Sequence, residues 1–185
     1  MKLQFVVLLS LAAASLLMGV ACGLTDDGAA KPTPSGQPDD LVGNPLPELT
    51  GENLTGTGTA RLSSFKGAPL VVAIWLNACP DCQKVMPELQ ALADRLRSVK
   101  FVSVAIDEKE ANGSGPKGYE TPRAFVATAK LTMPAILVPR ITTDAAFNLH
   151  RIPSVFLVDS SGVIAKTFVW PFSTADVETA AKELK

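Results

Sequence analysis

The chain has 185 residues, enough for one domain of ordinary size with a full hydrophobic core. Its 17 basic and 18 acidic residues give a formal net charge of −1, and no cluster of lysines and arginines breaks that balance. The composition therefore gives no sign of a nucleic-acid-binding protein, and three cysteines are too few for a disulfide scaffold.

Residues 1–21 have the composition of a secretory signal peptide. Lys2 supplies a positive charge, residues 3–21 are almost entirely apolar, and the small residues Gly19 and Ala21 precede Cys22. Three interpretations remain open: simple cleavage after Ala21, cleavage with lipidation of Cys22 as in bacterial lipoproteins, or an uncleaved membrane anchor. The lipoprotein pattern is matched imperfectly, because Gly19 stands where leucine is usual.

Residues 22–40 are predicted to form a lipid-anchored or flexible tether. The stretch 25–40 is rich in Pro, Gly and Asp and has no apolar periodicity, which is typical of flexible chain. Such a tether is useful if Cys22 is fixed to a membrane, so we favour the lipoprotein. In each interpretation the folded domain, residues 41–185, lies outside the cytoplasm, in the periplasm or cell envelope, where disulfide chemistry is permitted.

The first half of this domain is predicted to contain a buried strand followed by an amphipathic helix. After an extended segment rich in proline and a stretch of turns at 51–60, the apolar run at 70–76 predicts a strand buried on both faces. Apolar residues then recur three and four apart from Pro80 to about Arg97, which indicates a helix. Pro80 suits its first position and Pro87 is expected to kink it.

The second half alternates strands with short helices. Seven elements are predicted, in chain order: a strand at 101–106, a helix at 121–130 capped by Thr121, a strand at 135–138, a helix at 143–149, strands at 154–159 and 163–169 joined by a hairpin, and a helix at 173–184 capped by Ser173. This order predicts an α/β fold with a central mixed β-sheet flanked by helices.

Cys79, Pro80, Asp81 and Cys82 form a Cys-x-x-Cys motif between the first strand and the first helix, which is typical of a redox centre. Cys79 falls at the helix N-terminus, where unpaired N–H groups and the helix dipole favour negative charge. We therefore expect a lowered pKa and a nucleophilic thiolate at Cys79. Cys82, about one turn further on, is placed to attack a mixed disulfide on Cys79 and release the partner.

Two other uses of the cysteine pair fit less well. A structural zinc site requires four ligands, whereas the chain offers this pair and a single histidine, His150. A structural disulfide that closes a two-residue loop restrains little unfolded-chain entropy. We therefore expect a redox-active Cys79–Cys82 disulfide with no metal and no other cofactor, and a His150 that faces solvent rather than taking part in catalysis.

The sequence resembles the TlpA/ResA-like group of extracytoplasmic, thioredoxin-like thiol–disulfide oxidoreductases over nearly all of residues 41–185. The resemblance rests on Trp75, the cysteine pair, and a Met-Pro at 86–87, in the group's Trp-x-x-x-Cys-x-x-Cys register. It also rests on "FNLHRIPSVFLVDSSGVIAKTF", which places Pro153 at the group's cis-proline. The resemblance implies a thioredoxin-like fold extended by an N-terminal β-hairpin, within "LPELTGENLTGTGTARLSSFKGAPLVVAIW".

The same resemblance implies how substrates bind and who the partners are. The Pro153 loop is expected to pack against the cysteine pair, and the backbone of Ile152 to pair with an extended substrate segment, a mode that tolerates many protein sequences. Trp75 either packs beneath the active-site loop or contacts substrate. The implied partners are a membrane electron donor such as a thiol transporter, and protein substrates such as an apocytochrome c during cytochrome c maturation, another oxidoreductase or a misoxidised secreted protein. We expect a monomer.

The chain departs from the common pattern at two positions and differs in its motif. Ala78 replaces a frequent second tryptophan, and Ala73 replaces the buried aspartate of thioredoxin, which leaves no obvious proton acceptor beneath Cys82. Within the motif, Pro80 lacks an N–H and Asp81 brings like charge near a thiolate. A less stabilised thiolate gives a less oxidising disulfide, so we expect a reductant or a weak oxidant.

Two alternative functions occur on the same fold. A peroxiredoxin-like thiol peroxidase would need a Pro-x-x-x-Thr/Ser-x-x-Cys setting, and residues 74–78 contain no such proline or threonine. A copper-binding assembly factor would use Cys-x-x-x-Cys with a histidine, and the spacing here is one residue shorter.

Overall fold

The computed structural model describes residues 38–109, 113 and 116–185. The predicted signal peptide at 1–21, the lipidation site Cys22 and residues 23–37 of the predicted tether lie outside the described residues. Across 38–185, apart from the five residues left out, no helix is both long and apolar enough to cross a bilayer.

The described residues form seven strands and four α-helices, and each predicted helix and strand is present. Their bounds are β1 Thr50–Asn53, β2 Thr59–Arg61, β3 Leu70–Trp75, α1 Pro80–Arg95, β4 Lys100–Asp107, α2 Pro122–Thr128, β5 Ala135–Pro139, α3 Arg140–Phe147, β6 Ser154–Val158, β7 Ile164–Val169 and α4 Thr174–Lys182. The turn-rich stretch at 51–60 contains the β1–β2 hairpin that the family resemblance implied.

One mixed sheet contains all seven strands in the order β2-β1-β5-β4-β3-β6-β7. β3, β4 and β5 are parallel, whereas β6 runs antiparallel to β3 and β1 runs antiparallel to β5. This is the predicted α/β architecture. Because β3 is parallel to β4 and β5, the carboxyl ends of these strands share one edge with the start of β6.

The central strand β3 is buried on both faces, as its continuous apolar sequence predicts. Alternate residues Val71, Ala73 and Trp75 pack with α1, α2 and α4, while Leu70, Val72 and Ile74 contribute to a second cluster on the other face. The second cluster includes Phe147 of α3, whose ring lies 4.7 Å from that of Phe156. The sheet is therefore packed on both sides, and its edges and loops carry the accessible groups.

Side-chain caps begin two of the helices where the sequence predicts them. The Thr121 hydroxyl accepts from the N–H of Ala124 at 3.1 Å, and the Ser173 hydroxyl accepts from the N–H of Asp176 at 3.1 Å. The helix predicted at 143–149 instead begins at Arg140. Its Thr143 is fully buried and donates to the carbonyl of Pro139 at 3.1 Å, so this threonine is inside the helix and does not cap it.

Candidate active site

The cysteine pair lies at the sheet edge where β3 ends. A turn links the strand to α1, with the N–H of Cys79 donating to the carbonyl of Leu76 at 3.2 Å. Cys79 is the N-cap of α1, and its sulfur accepts from the N–H of Cys82 at 3.2 Å. Pro80 occupies the first helical turn, as predicted. The N-terminus of α1 is therefore formed by a turn that ends at Cys79, by Pro80 in the first helical turn, and by the Cys79 sulfur as the N-cap acceptor.

The two thiols differ sharply in exposure and acidity. Cys79 is half-buried, and a hydrogen bond from the Cys82 thiol lowers its pKa from 9.0 to about 7, against an opposing effect of burial. Backbone N–H groups of Cys82 and Asp81 also lower the pKa of Cys79. Cys82 is 0% exposed, and burial raises its pKa far above the usual value. Near neutral pH a large share of Cys79 is therefore an accessible thiolate, while Cys82 remains a buried thiol.

The Ile152-Pro153 peptide bond is cis, as the family resemblance implied. Ser154, the next residue, pairs with Ile74 near the end of β3, and the carbonyl of Pro153 accepts from the N–H of Trp170 at 3.1 Å. Both Ile152 and Cys79 pack against the hydrophobic clusters on the two faces of the sheet. The Pro153 loop and the cysteine turn are thus neighbours at one edge.

The backbone of Ile152 is available to a partner. Within the part of the chain that the structure describes, neither its N–H nor its carbonyl has a hydrogen-bond partner. Its side chain is half-buried, so the residue is held in place while its main chain remains open. A second cis bond, Trp170-Pro171, lies beside this loop and was not predicted from the sequence.

Trp75 is a packing residue, and its assignment as a substrate contact is wrong. Its side chain is 0% exposed, and its ring lies 4.6 Å from that of Phe125. A side chain with no accessible surface offers nothing to a bound protein. Side chains alternate between the two faces of the sheet along β3, and Trp75 lies on the face that α1 covers. The ring is therefore packed in the same cluster as Cys82.

The polar side chains close to the cysteine pair in sequence face solvent fully or in part. His150 and Glu88 are exposed, and Glu88 accepts from the Thr174 hydroxyl at 2.9 Å. The Asp81 side chain is 40% exposed and lies 3.9 Å from Lys84. Ala73 is buried, and among the described residues no aspartate or glutamate is buried. The proton of Cys82 therefore has no buried carboxylate to receive it within this part of the chain.

The described residues contain no group of three or more His, Cys, Asp and Glu side chains that could hold a metal ion. His150 lies three residues before Pro153 but is exposed. A copper-binding alternative gains no support from these positions.

Sequence reasoning missed three residues that surround the cysteine turn. Asn77 is 0% exposed, and its side-chain amide donates to the carbonyl of Tyr119 at 2.9 Å. The Gln83 side-chain amide donates to the carbonyl of Asn77 at 2.9 Å. The available signal was an amide residue directly after the apolar run at 70–76, because a polar side chain buried there needs hydrogen-bond partners. Its partner Tyr119 is 42 residues away in sequence, which no local pattern indicates.

A family model described as Redoxin matches residues 41–184. The chain is 28% identical to sporulation thiol-disulfide oxidoreductase A of Bacillus subtilis over 120 residues, covering 64% of this chain and 69% of that protein. It is 23% identical to thiol-disulfide oxidoreductase ResA of Geobacillus kaustophilus over 144 residues, covering 78% of each. These matches confirm the resemblance to the TlpA/ResA-like group.

Solved structures share the fold. A secreted disulfide oxidoreductase of Mycobacterium tuberculosis superimposes with a TM-score of 0.61 at 20% identity, covering 74% of this chain and 96% of that one. A thioredoxin-family thiol:disulfide interchange protein of Chlorobium tepidum gives 0.62 at 23% identity, covering 76% and 94%. The predicted thioredoxin-like fold is therefore confirmed.

Proposed function

Because the chain belongs to the redoxin family and is a thioredoxin-like thiol–disulfide oxidoreductase, we propose that Cys79 and Cys82 carry its activity on protein disulfides outside the cytoplasm. The observation that carries the proposal is the contrast between the two sulfurs. Cys79 is accessible and has a pKa lowered to about 7, while Cys82 is buried and has a raised pKa. A nucleophile followed by a protected resolving thiol requires this contrast.

In the reducing direction, the Cys79 thiolate attacks one sulfur of a substrate disulfide. A mixed disulfide forms, and the other substrate sulfur leaves as a thiolate that takes a proton from solvent. The sulfur of Cys82 then attacks the sulfur of Cys79 and forms the Cys79–Cys82 disulfide. The proton of Cys82 passes to the departing substrate sulfur, which leaves as a thiol. Two electrons pass from the pair to the substrate, and an external dithiol must return them. The oxidising direction runs through the same mixed disulfide in reverse.

The substrate is proposed to be an extended protein segment that pairs with the backbone of Ile152. This proposal is supported by the main chain of Ile152, which has no hydrogen-bond partner among the described residues, and by its packing beside Cys79. Main-chain pairing constrains substrate sequence little, so apocytochrome c, another oxidoreductase and misoxidised secreted proteins all remain substrate classes.

We infer that the pair acts as a reductant or weak oxidant. Pro80 leaves the first helical turn with one N–H fewer, and the negative charge of Asp81 raises the pKa of Cys79 slightly. Both features limit stabilisation of the thiolate, and strong oxidants depend on a stable reduced form. A reduction potential near about −120 mV, typical of the strongest oxidants, would contradict this inference.

The site is proposed to act on the outer side of the membrane, with Cys22 as a lipid anchor and a membrane thiol transporter as electron donor. The apolar leader before Cys22 supports the location, and one structural relative is described as secreted. Replacing Cys22 with Ser should move the protein from the membrane fraction to the soluble fraction. Retention in the membrane would favour an uncleaved anchor instead.

The activity can be tested by following insulin disulfide reduction with a dithiol donor, using the full-length protein in detergent. We expect turnover by the wild type and none by Cys79→Ser. Copper titration and a peroxide reduction assay on the same samples distinguish the two alternative functions. If the protein reduced peroxide and did not reduce insulin, thiol peroxidase activity would be favoured over reduction of protein disulfides.

A further inference from the structure

The turn that carries Cys79 is held by two amide side chains. It begins where β3 ends at Trp75, and within it the N–H of Cys79 donates to the carbonyl of Leu76 at 3.2 Å. The other polar groups of a buried short turn also need hydrogen-bond partners. Asn77 and Gln83 supply those partners.

Gln83, in the first turn of α1, forms a side-chain hydrogen bond with Asn77, the residue before Ala78. Its side-chain amide donates to the carbonyl of Asn77 at 2.9 Å, while its backbone N–H donates to the carbonyl of Cys79 at 3.1 Å. The two bonds join the helix to both sides of Ala78. Loss of the side-chain bond would leave the carbonyl of a fully buried residue without this donor, and the turn would rearrange to satisfy it.

Asn77 connects the same turn to the loop that follows β4. Its side-chain amide donates to the carbonyl of Tyr119 at 2.9 Å. The Tyr119 ring lies edge-on to Phe125 at 4.9 Å, and Phe125 lies against Trp75 at 4.6 Å. Tyr119 is thus held through its ring and its carbonyl, and it gives Asn77 a fixed partner.

We propose that Asn77 and Gln83 are positioning residues that hold the turn before Cys79 and thereby keep its sulfur over the N–H groups that begin α1. The inference deepens the proposed function and rests on Cys79 as the attacking sulfur. The sulfur is 3.2 Å from the N of Cys82, a distance that a small shift of the turn would lengthen. Such a shift weakens the stabilisation of the thiolate and makes Cys79 less reactive at neutral pH.

The test compares Gln83→Met and Asn77→Ala with the wild type, all in a Cys22→Ser background and with reduced full-length protein in detergent. Methionine matches glutamine in length and removes only the hydrogen-bonding amide. The rate of Cys79 alkylation by iodoacetamide is measured against pH by mass spectrometry. We expect the midpoint to rise from about 7 in both variants. A rise of one unit lowers the alkylation rate at pH 7 by about five-fold.

Gln90→Met is the matched control. Gln90 is also on α1 and also bonds a neighbouring loop, with its side-chain oxygen accepting from the N–H groups of Thr132 at 2.7 Å and Met133 at 2.8 Å. It lies about two turns beyond Gln83, away from the sulfur. Its loss should destabilise the fold while leaving the Cys79 midpoint unchanged.

The outcomes separate positioning from a merely structural role. A raised midpoint in Gln83→Met or Asn77→Ala, with none in Gln90→Met, supports the proposal. Equal midpoints in all four proteins overturn it, as does an equal rise in Gln83→Met and Gln90→Met, because that would reflect general loosening. Alkylation requires no substrate turnover, so a wild type that fails to reduce insulin would count against the proposed function and leave this test intact.

Discussion

Gln83 and Gln90 lie about two turns apart on α1, and each donates a side-chain hydrogen bond to a neighbouring segment. Around Gln90, the helix is packed by the fully buried Leu89 and by Leu92, and the loop at Thr132 is bonded three times to one side chain. Around Gln83, the neighbouring Cys79 is half-exposed.

Both parts of α1 have hydrogen-bonded glutamines, but only the part around Gln90 also has close apolar packing. A side chain in the core is held by contacts on all sides, but a nucleophile must remain accessible and loses much of that packing. Hydrogen bonds to the turn can restrain Cys79 without covering it. We therefore expect substitutions at the start of α1 to change chemistry and substitutions further along it to change stability.

The largest effect is expected from Cys79→Ser. A serine hydroxyl is not ionised at neutral pH, so insulin reduction should fall by roughly a thousand-fold or more. Urea unfolding of the same variant should shift by less than about 1 kcal/mol, because the residue is only half-buried. A large loss of stability would mean that the start of α1 supports the fold as much as the segment around Gln90 does.

Leu89→Ala tests the packed part of the helix. The side chain is 0% exposed, so its truncation should cost about 2–5 kcal/mol of unfolding free energy in urea titrations. The protein that remains folded should alkylate at Cys79 with the wild-type midpoint. A shifted midpoint would show that core packing, and not the local turn, governs the thiol.

The stability of the reduced protein should depend on pH through both cysteines. Between about pH 7 and 9 the folded state has lost the Cys79 proton and the unfolded state retains it, so stability rises with pH. Above about pH 9 the unfolded state loses the Cys82 proton while the folded state keeps it, because burial raises that pKa, and stability falls.

Urea titrations across this pH range measure the effect as a difference from Cys79→Ser. The variant should lack the rise between pH 7 and 9 and retain the fall above it. A rise of equal size in the variant would assign the titration to another group.

The smallest effect is expected from Asp81→Asn. Removing a charge that raises the pKa of Cys79 should lower the alkylation midpoint by less than about one unit, because the side chain is 40% exposed and screened by water. Asp94→Asn removes the same charge from the far part of α1 and should leave the midpoint unchanged. Equal shifts in the two variants would indicate a long-range field rather than a local contact.

Most of the fold follows from local sequence. The apolar run of β3 predicts a strand because a strand buried on both faces needs apolar residues at every position. Thr121 and Ser173 predict helix starts because their hydroxyls accept from N–H groups of the first helical turn. The β1–β2 hairpin has exposed and half-buried residues in place of an apolar pattern, so only the family resemblance indicated it. The helix predicted to start at Thr143 starts at Arg140, and the Thr143 hydroxyl donates to the carbonyl of Pro139, which precedes the helix.

The place of the cysteine pair in the fold could be predicted from the sequence, whereas the residues that surround it could not. The spacing of Cys79 and Cys82 at a strand-to-helix junction indicates the chemistry directly. The burial of Trp75 and the bond from Asn77 to Tyr119 depend on which distant segments meet, and one sequence contains no local signal of that. Long-range contacts of this kind set the surroundings of Cys79, the proposed nucleophile.

The order of attack by the two cysteines can be measured directly by trapping. Cys82→Ser, in the Cys22→Ser background, is incubated with oxidised insulin and analysed by mass spectrometry without reductant. We predict an insulin chain joined to Cys79 by a disulfide that a dithiol removes, and no adduct when Cys79 is also replaced by serine. The same experiment with Cys79→Ser and an intact Cys82 should give none, because Cys82 is buried. Adducts on Cys82 instead, or none on Cys79, would contradict Cys79 as the attacking sulfur.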